Sequence, residues 1–439
     1  MEKYQTNGSK ELYEKAQRFL LNGMASYFHK SDSEEYPICM SRGKGSKLYD
    51  VDGNEYIDYV GGLGPMLLGY SPESVFAEID EQLERGSHFS ATTPQLCALS
   101  RKLTEIIPCA EVVSYQNSGT EGDMFAIRAA RAYTGKLKVI KFESTYHGWS
   151  DELKVSVDTD DEACFGDREN PIRYITTKGQ RVAASDDVIV LPFNDIHLIH
   201  TVLRKQGDEI AAIIMEPMIC DSGPIPPLPG FLQEVVDTAH KYGVVVIFDE
   251  VITGFRFALG GAQEYFGVTP DMAVFAKAVT GGLPLAVIGG KREIMECGVI
   301  SSGTFNANPI VVAAALGAIK VYEEPGVYER LQELGDRLAT GLVEVGKKHG
   351  ILMYAKAYGG LISWTVGMDR PPIDFRDWLH NADIGLYDQI FLRSRDYGVR
   401  WTERRGRINL STEHTEQDIE ITLAVLDQVL SDMEEEAGK

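Results

Sequence analysis

YGVVVIFDE, residues 242–250, is an unbroken β-branched and aromatic run that ends on two carboxylates. A strand with one wet face alternates apolar and polar residues, so a run without alternation is buried on both faces. Its place is the interior of a sheet covered by helices. Six further runs of the same kind surround it: EVVSYQ (111–116), KVIKF (138–142), DVIVLP (187–192), EIAAIIMEP (209–217), MAVFAK (272–277) and LAVIGG (285–290). Helical stretches separate them, which implies an α/β architecture with a mostly parallel central sheet flanked by helices. We expect one large α/β domain over residues 61–308.

Outward from this block, ELYEKAQRFLLNG (11–23) is a helical pattern that closes at Gly23, and GSKLYDVDGNEYIDYV (45–60) alternates around an Asp-Gly turn, as a hairpin does. The Asp50 to Gly53 stretch lacks the later oxygen ligands of a calcium loop, so it reads as a turn. Residues 1–60 are expected to form the N-terminal segment of a smaller α+β domain. Residues 309–439 should complete it, opening with the helix VVAAALGAIKVYEE (311–324) and closing with EQDIEITLAVLDQVLSDMEEE (416–436). Residues 158–187 are polar and weakly patterned, a long surface excursion.

The 439 residues, 44% hydrophobic and 25% charged, fit a folded two-domain protein. A net charge of -22 disfavours nucleic acid and anionic membranes as partners. With no long apolar run and no apolar start, the cytoplasm is the expected location. The six cysteines form no C-x-x-C pair, so neither a disulfide framework nor a bound metal is expected.

In open α/β sheets ligands bind beyond the carboxyl ends of the strands, where three runs end on Glu216, Asp249 and Lys277. A carboxylate at the end of so apolar a strand needs a partner, and the protonated nitrogen of a ring cofactor would be one. A helix cap or a structural ion pair is the alternative for Asp249. A partly desolvated Lys277 amine suits imine formation, although a lone lysine after a strand is ordinarily a surface residue. Ser118, Gly119 and Thr120 lead from a strand into a helix, where free amides suit a phosphate or plain capping explains them. Tyr146 offers an aromatic face to a planar cofactor, or to the core.

The order of phosphate cradle, aromatic, Glu-Pro, strand-end Asp and Lys resembles the class III aminotransferases of the pyridoxal 5′-phosphate (PLP) fold type I. NSGTEG (117–122), YHG (146–148), MEP (215–217), FDEVITGFR (248–256), FAKAVTGGLP (275–284) and GTFNANP (303–309) carry the resemblance across nearly the whole chain. Within the family, YDVDGNEYIDYV (49–60), DEVITGFRFALGGAQEYFGVTPD (249–271) and STEHTEQDI (411–419) are most similar to the glutamate-1-semialdehyde 2,1-aminomutase branch. The resemblance implies a PLP enzyme with Lys277 as its Schiff-base lysine, and Asp249 paired with the ring nitrogen. Tyr146 and Val251 would lie on the two ring faces, and Ser118, Gly119 and Thr120 on the phosphate. Thr304 would reach that phosphate from a second subunit, which implies a homodimer with shared sites.

The departures from the branch gather where its substrate is expected. Ser26, Tyr27, Phe28 and His29 stand in place of Ser-Pro-Val-Arg, so the carboxylate-binding Arg is missing. Leu63 replaces a Trp, Asp221 an Asn and Ile300 a Tyr. A neutral imidazole does not replace a bidentate guanidinium, so the substrate should differ. Arg405 and Arg407 are candidate replacement anchors, with solvated surface arginines as the alternative. The expected reaction is transamination from an amino donor, an amino acid by its class, to a ketone or aldehyde. An aminomutase or a racemase on the same site is the rival.

Overall fold

The computed structural model describes residues 2–438 apart from Asp158, Ser222, Arg404 and Arg405. The chain divides into two compact units, one of Met1–Pro72, Glu329–Arg370 and Ala382–Lys439, the other of Glu73–Tyr328 and Pro371–Asn381. These boundaries differ from those expected at 60 and 308. The helix Pro309–Tyr322 stays with the larger unit, because Gly317 lets it lie against the backbone of Ser74 and Val75 in the helix Glu73–Arg85. A side chain at Gly317 would come within 2.7 Å of the Ser74 carbonyl. Residues 371–381 also belong to the larger unit, because Arg376 enters a buried bidentate pair with Glu143 at 2.9 and 2.6 Å.

The larger unit is built on a seven-stranded sheet. Its strands in chain order are β1 (Val112–Gln116), β2 (Lys138–Phe142), β3 (Val188–Leu191), β4 (Ile210–Met215), β5 (Val245–Glu250), β6 (Met272–Phe275) and β7 (Ala286–Gly290). In space they run β1-β7-β6-β5-β4-β2-β3. All pairings are parallel except those of β7, which is antiparallel to β6 and to β1. Each apolar run of the sequence is one of these strands. Every residue of β4, β5 and β6 is buried, as their lack of alternation requires.

One helix, α1 (Gly119–Thr134), crosses the sheet face and buries Phe125, Ala126, Ile127, Ala129 and Ala130 on a core with Ile214, Ile247, Val274 and Ile288. Its approach is close. A Cβ at Gly122 would lie 2.6 Å from Val274 Cγ1. Within the excursion, Phe165 is fully buried and edge-on to Phe375, while Arg168 pairs with Asp195 and Asp374, so part of it is anchored rather than solvated.

The other unit contains a four-stranded sheet that includes the Lys47–Asp50 and Glu55–Asp58 hairpin, and a three-stranded sheet of Met353–Tyr358, Leu361–Val366 and Arg407–Asn409. The Asp50 carboxylate closes the hairpin turn by accepting from the amides of Asp52 and Asn54. The first helix covers only Asn7–Ala16 and does not run to Gly23. Phe19 and Leu21 are exposed on this chain and Asn22 takes a left-handed conformation, which breaks the helical pattern before Gly23. The helix Glu416–Ala437 starts with a capping box between Thr415 and Asp418.

Candidate active site

Because β4, β5 and β6 are parallel neighbours, their carboxyl ends share one edge of the sheet. Asp249 and Glu250 project to opposite faces of β5. Glu250 is buried against the amides of Ala262 and Gln263 and the hydroxyl of Thr253, and desolvation pushes its carboxyl up to about 7. Asp249 is also buried, and lies with Asp123 of α1 and with His147. Ligating atoms of these three side chains all lie within 4.8 Å of one another.

His147 Nδ1 is 2.7 Å from Asp249 Oδ2, and the Val251 amide donates to Asp249 Oδ1 at 3.0 Å. Burial lowers the His147 pKa despite its acidic neighbour, so the ring is neutral at pH 7 and its Nδ1–H is the donor. The loop bearing Tyr146 and His147 is held by Lys141, a fully buried lysine on β2. Its ammonium donates to the carbonyls of Thr145, Leu153 and Val155 at 2.9, 3.2 and 2.7 Å. Glu216, just beyond β4, accepts from the Tyr146 amide and the Cys220 amide, both at 3.0 Å. Burial first, then the charges of Asp221 and Asp249, raise its pKa. The Lys154 ammonium lies 4.8 Å from the centre of the Tyr146 ring.

At the start of α1 the Ser118 hydroxyl accepts from the Glu121 amide at 3.3 Å, and the Ser118 carbonyl takes the Gly122 amide. Helix geometry leaves the amides of Gly119 and Thr120 without an intrahelical acceptor. Gly119 packs directly on Val251: a Cβ there would be 2.8 Å from Val251 Cγ2. Gly148 similarly lies against Thr120, which joins the tyrosine loop to the helix start.

Lys277 follows β6, half-buried, with φ +48. A left-handed conformation is strained for a side chain of this size, and such strain clusters at functional sites. The turn after it is closed by a mutual pair between Thr280 and Leu283, and the Tyr322 hydroxyl donates to the Ala278 carbonyl at 2.7 Å. The sheet edge therefore brings together Ser118, Gly119, Thr120, Tyr146, Glu216, Asp249, Val251 and Lys277. Ile300 and Thr304 are in the same unit, both exposed.

Ser26, His29, Leu63 and Arg407 belong to the other unit. His29 is exposed and lines a cleft there with Glu34, Arg395, Arg400 and Trp401. Arg395 in that cleft pairs with Glu34 at 2.6 Å, and Arg400 with Asp58 at 2.8 Å. Ser26 accepts from the Phe28 amide, and Leu63 has φ +68. Arg407 is not a surface residue: it is fully buried in the three-stranded sheet, opposite Ser363. Arg405 lies outside the described residues. The residue reading missed Asp123, Lys141 and His147, although a lysine inside KVIKF and a histidine beside Tyr146 were visible signals.

A family model for aminotransferase class-III matches residues 28–403. The chain belongs to the class-III aminotransferase family. It is a PLP-dependent enzyme of fold type I. It is 36% identical over 428 residues to a glutamate-1-semialdehyde 2,1-aminomutase 2 of Bacillus pumilus, covering 96% of this chain and 97% of that one. An omega-transaminase from Sphaerobacter thermophilus superimposes with a TM-score of 0.89 at 32% identity, covering 97% of each chain. A glutamate-1-semialdehyde aminomutase from Pseudomonas aeruginosa shares the fold, with a TM-score of 0.88 at 22% identity, over 97% of this chain and 94% of that one. All six cysteines of the family member are free thiols, and no helix among the described residues is long and apolar enough to cross a membrane.

Proposed function

We propose that this class-III enzyme is a transaminase that moves an amino group from an amino-acid donor to a ketone or aldehyde acceptor in two half-reactions, with Lys277 at its centre. The observation that carries this reading is the shared sheet edge: buried Asp249 held by His147, half-buried and strained Lys277, and the open amide end of α1.

When bound, PLP supplies a carbon that takes up amines and a ring that withdraws electrons from the carbon losing its proton. The residues present fit it. The amides of Gly119 and Thr120 with the Ser118 and Thr120 hydroxyls would hold its phosphate at the positive end of α1. Tyr146 and Val251 would bound the ring faces, with Glu216 fixing the backbone of Tyr146. Asp249 would pair with the ring nitrogen, and His147 keeps the carboxylate oriented for that contact. Lys277 Nζ would hold the cofactor covalently and, when released, move the proton at the donor's α-carbon. Thr304, exposed in this chain, would be free to reach a phosphate in a second subunit if the enzyme works as the proposed homodimer with shared sites.

Ile300, exposed in the unit that carries Lys277, is proposed to help set the substrate. Absence of the Ser-Pro-Val-Arg arginine, with His29 in its place, favours an acceptor other than glutamate 1-semialdehyde. The aminomutase relatives at 36% identity favour the second reading, in which donor and acceptor are one molecule. A panel of ¹⁵N-labelled amino donors with unlabelled ketones and aldehydes separates the two. Label recovered in a different molecule supports transamination. Conversion of glutamate 1-semialdehyde to 5-aminolevulinate above about 10⁴ M⁻¹s⁻¹ with no transfer between molecules would overturn it.

A further inference from the structure

The proposed reaction leaves one buried acid at the site without a task. Asp123 sits one turn into α1, on the same face as Gly119, and only 1% of it is exposed. Its Oδ1 has no hydrogen-bond partner among the described residues. The groups that face it are Asp249 from β5, His147 from the loop after β2, and Glu216 from the end of β4. At the adjoining Gly122, the nearest groups from β6 and β7 are apolar: Val274, Ala286 and Ile288.

Two carboxyl groups this close in a dry setting do not both ionise. Geometry decides which keeps the proton. Asp249 receives two donors, the His147 ring N–H and the Val251 amide, and both favour its charged form. Asp123 Oδ1 receives none among the described residues, and the carboxyl is raised well above the usual carboxylate range by burial first, then by the neighbouring charge of Asp249. A carboxylate has about four acceptor positions, so with two taken Asp249 still has room for one more protein donor and for a ligand.

We propose that Asp123 is a positioning residue that remains a neutral acid and donates its proton in a hydrogen bond to Asp249, completing with His147 and Val251 a three-donor cradle. That cradle spreads the Asp249 charge and weakens it as a base toward the cofactor's ring nitrogen. The inference rests on Asp249 facing that nitrogen, and it assigns to Asp123 the tuning of how tightly the ring proton is held.

The test is ¹⁵N NMR of the holoenzyme loaded with ring-labelled PLP, titrated with base for wild type, Asp123→Val, Asp123→Asn and Asp249→Asn. Asp123→Val removes the donor, so the pH at which the ring nitrogen loses its proton should rise by about one unit, the size of one neutral hydrogen bond. Asp123→Asn keeps the shape and a permanently neutral donor, so it should stay within about a third of a unit of wild type. That variant keeps the test open if Asp123→Val fails to fold. An unmoved midpoint in Asp123→Val, or a shift of a full unit in Asp123→Asn, overturns the inference while Asp249→Asn still lowers the midpoint. If Asp249→Asn leaves the midpoint unchanged, the proposed role of Asp249 falls first, and the inference with it.

Discussion

Substituting Gly119→Ala adds a single methyl group where the start of α1 meets Val251. By helix propensity alone, the change should stabilise the helix by up to about 1 kcal/mol. Packing opposes it. The new Cβ would stand 2.8 Å from Val251 Cγ2 and 3.2 Å from Cγ1, whereas carbon atoms prefer about 3.5–4.0 Å. The helix start or Val251 must therefore retreat by roughly 0.7 Å, and overpacking of this kind costs about 1–3 kcal/mol. Because Gly119 and Thr120 supply the proposed phosphate amides, the strain should appear chiefly as loss of cofactor. A net cost of about 1–2 kcal/mol corresponds to roughly 5- to 30-fold weaker PLP binding. Equilibrium dialysis against PLP measures it for Gly119→Ala, Val251→Ala and the double variant. The two changes should couple by about 1 kcal/mol or more, with Val251→Ala relieving the Gly119→Ala defect. Binding within twofold of wild type for Gly119→Ala, or strictly additive effects, would refute the close-packed cradle.

Other expectations follow from the same contacts. Asp249→Asn should retain PLP but slow α-proton loss at least a hundredfold, read by single-turnover absorbance changes; an unchanged rate counts against its proposed role. Lys141→Met removes the ammonium from the buried carbonyls of Thr145 and Val155, at about 1–3 kcal/mol each, while the Leu153 carbonyl still accepts from the Val155 amide, so the apoenzyme should melt several degrees lower; an unchanged melting temperature would contradict this account of the tyrosine loop. Asp123 has its folded pKa raised, so its contribution to stability is present below the ordinary carboxylate range and is lost as pH rises toward the folded value. The melting advantage of apo Asp123→Asn over wild type should accordingly grow from pH 5 upward, and a constant difference between pH 5 and 9 would argue that Asp123 is ionised. Mixing Lys277→Ala with Thr304→Ala chains should restore one complete site per mixed dimer, and verified mixed dimers without activity would show that Thr304 is not shared.

The sheet was legible because strands buried on both faces leave continuous apolar runs, and all seven runs from EVVSYQ to LAVIGG became strands of it. The proposed cofactor cradle was legible as a set of motifs, since glycine, capping residues and strand-end polar groups mark their own backbone requirements. Other features depended on contacts distant in sequence. Arg376 joins its segment to Glu143 across 233 positions, and no periodicity announces that pair. The pattern FLLNG looked helical, yet helicity there needed a surface within this chain to cover, and Phe19 is exposed on it. Asp123 sat in a helix start where an acid is unremarkable. Only the fold, by placing it beside Asp249, makes it costly.

The central claim is that Lys277 is the residue through which this family member holds and works its cofactor. Borohydride reduction of the PLP-loaded enzyme, followed by proteolysis and peptide mass spectrometry, tests it most directly. The account predicts a phosphopyridoxyl adduct on the peptide containing Lys277, absent when an amino donor is added before reduction. An adduct on another lysine such as Lys141 or Lys291, or no adduct in a preparation that retains PLP, would contradict it.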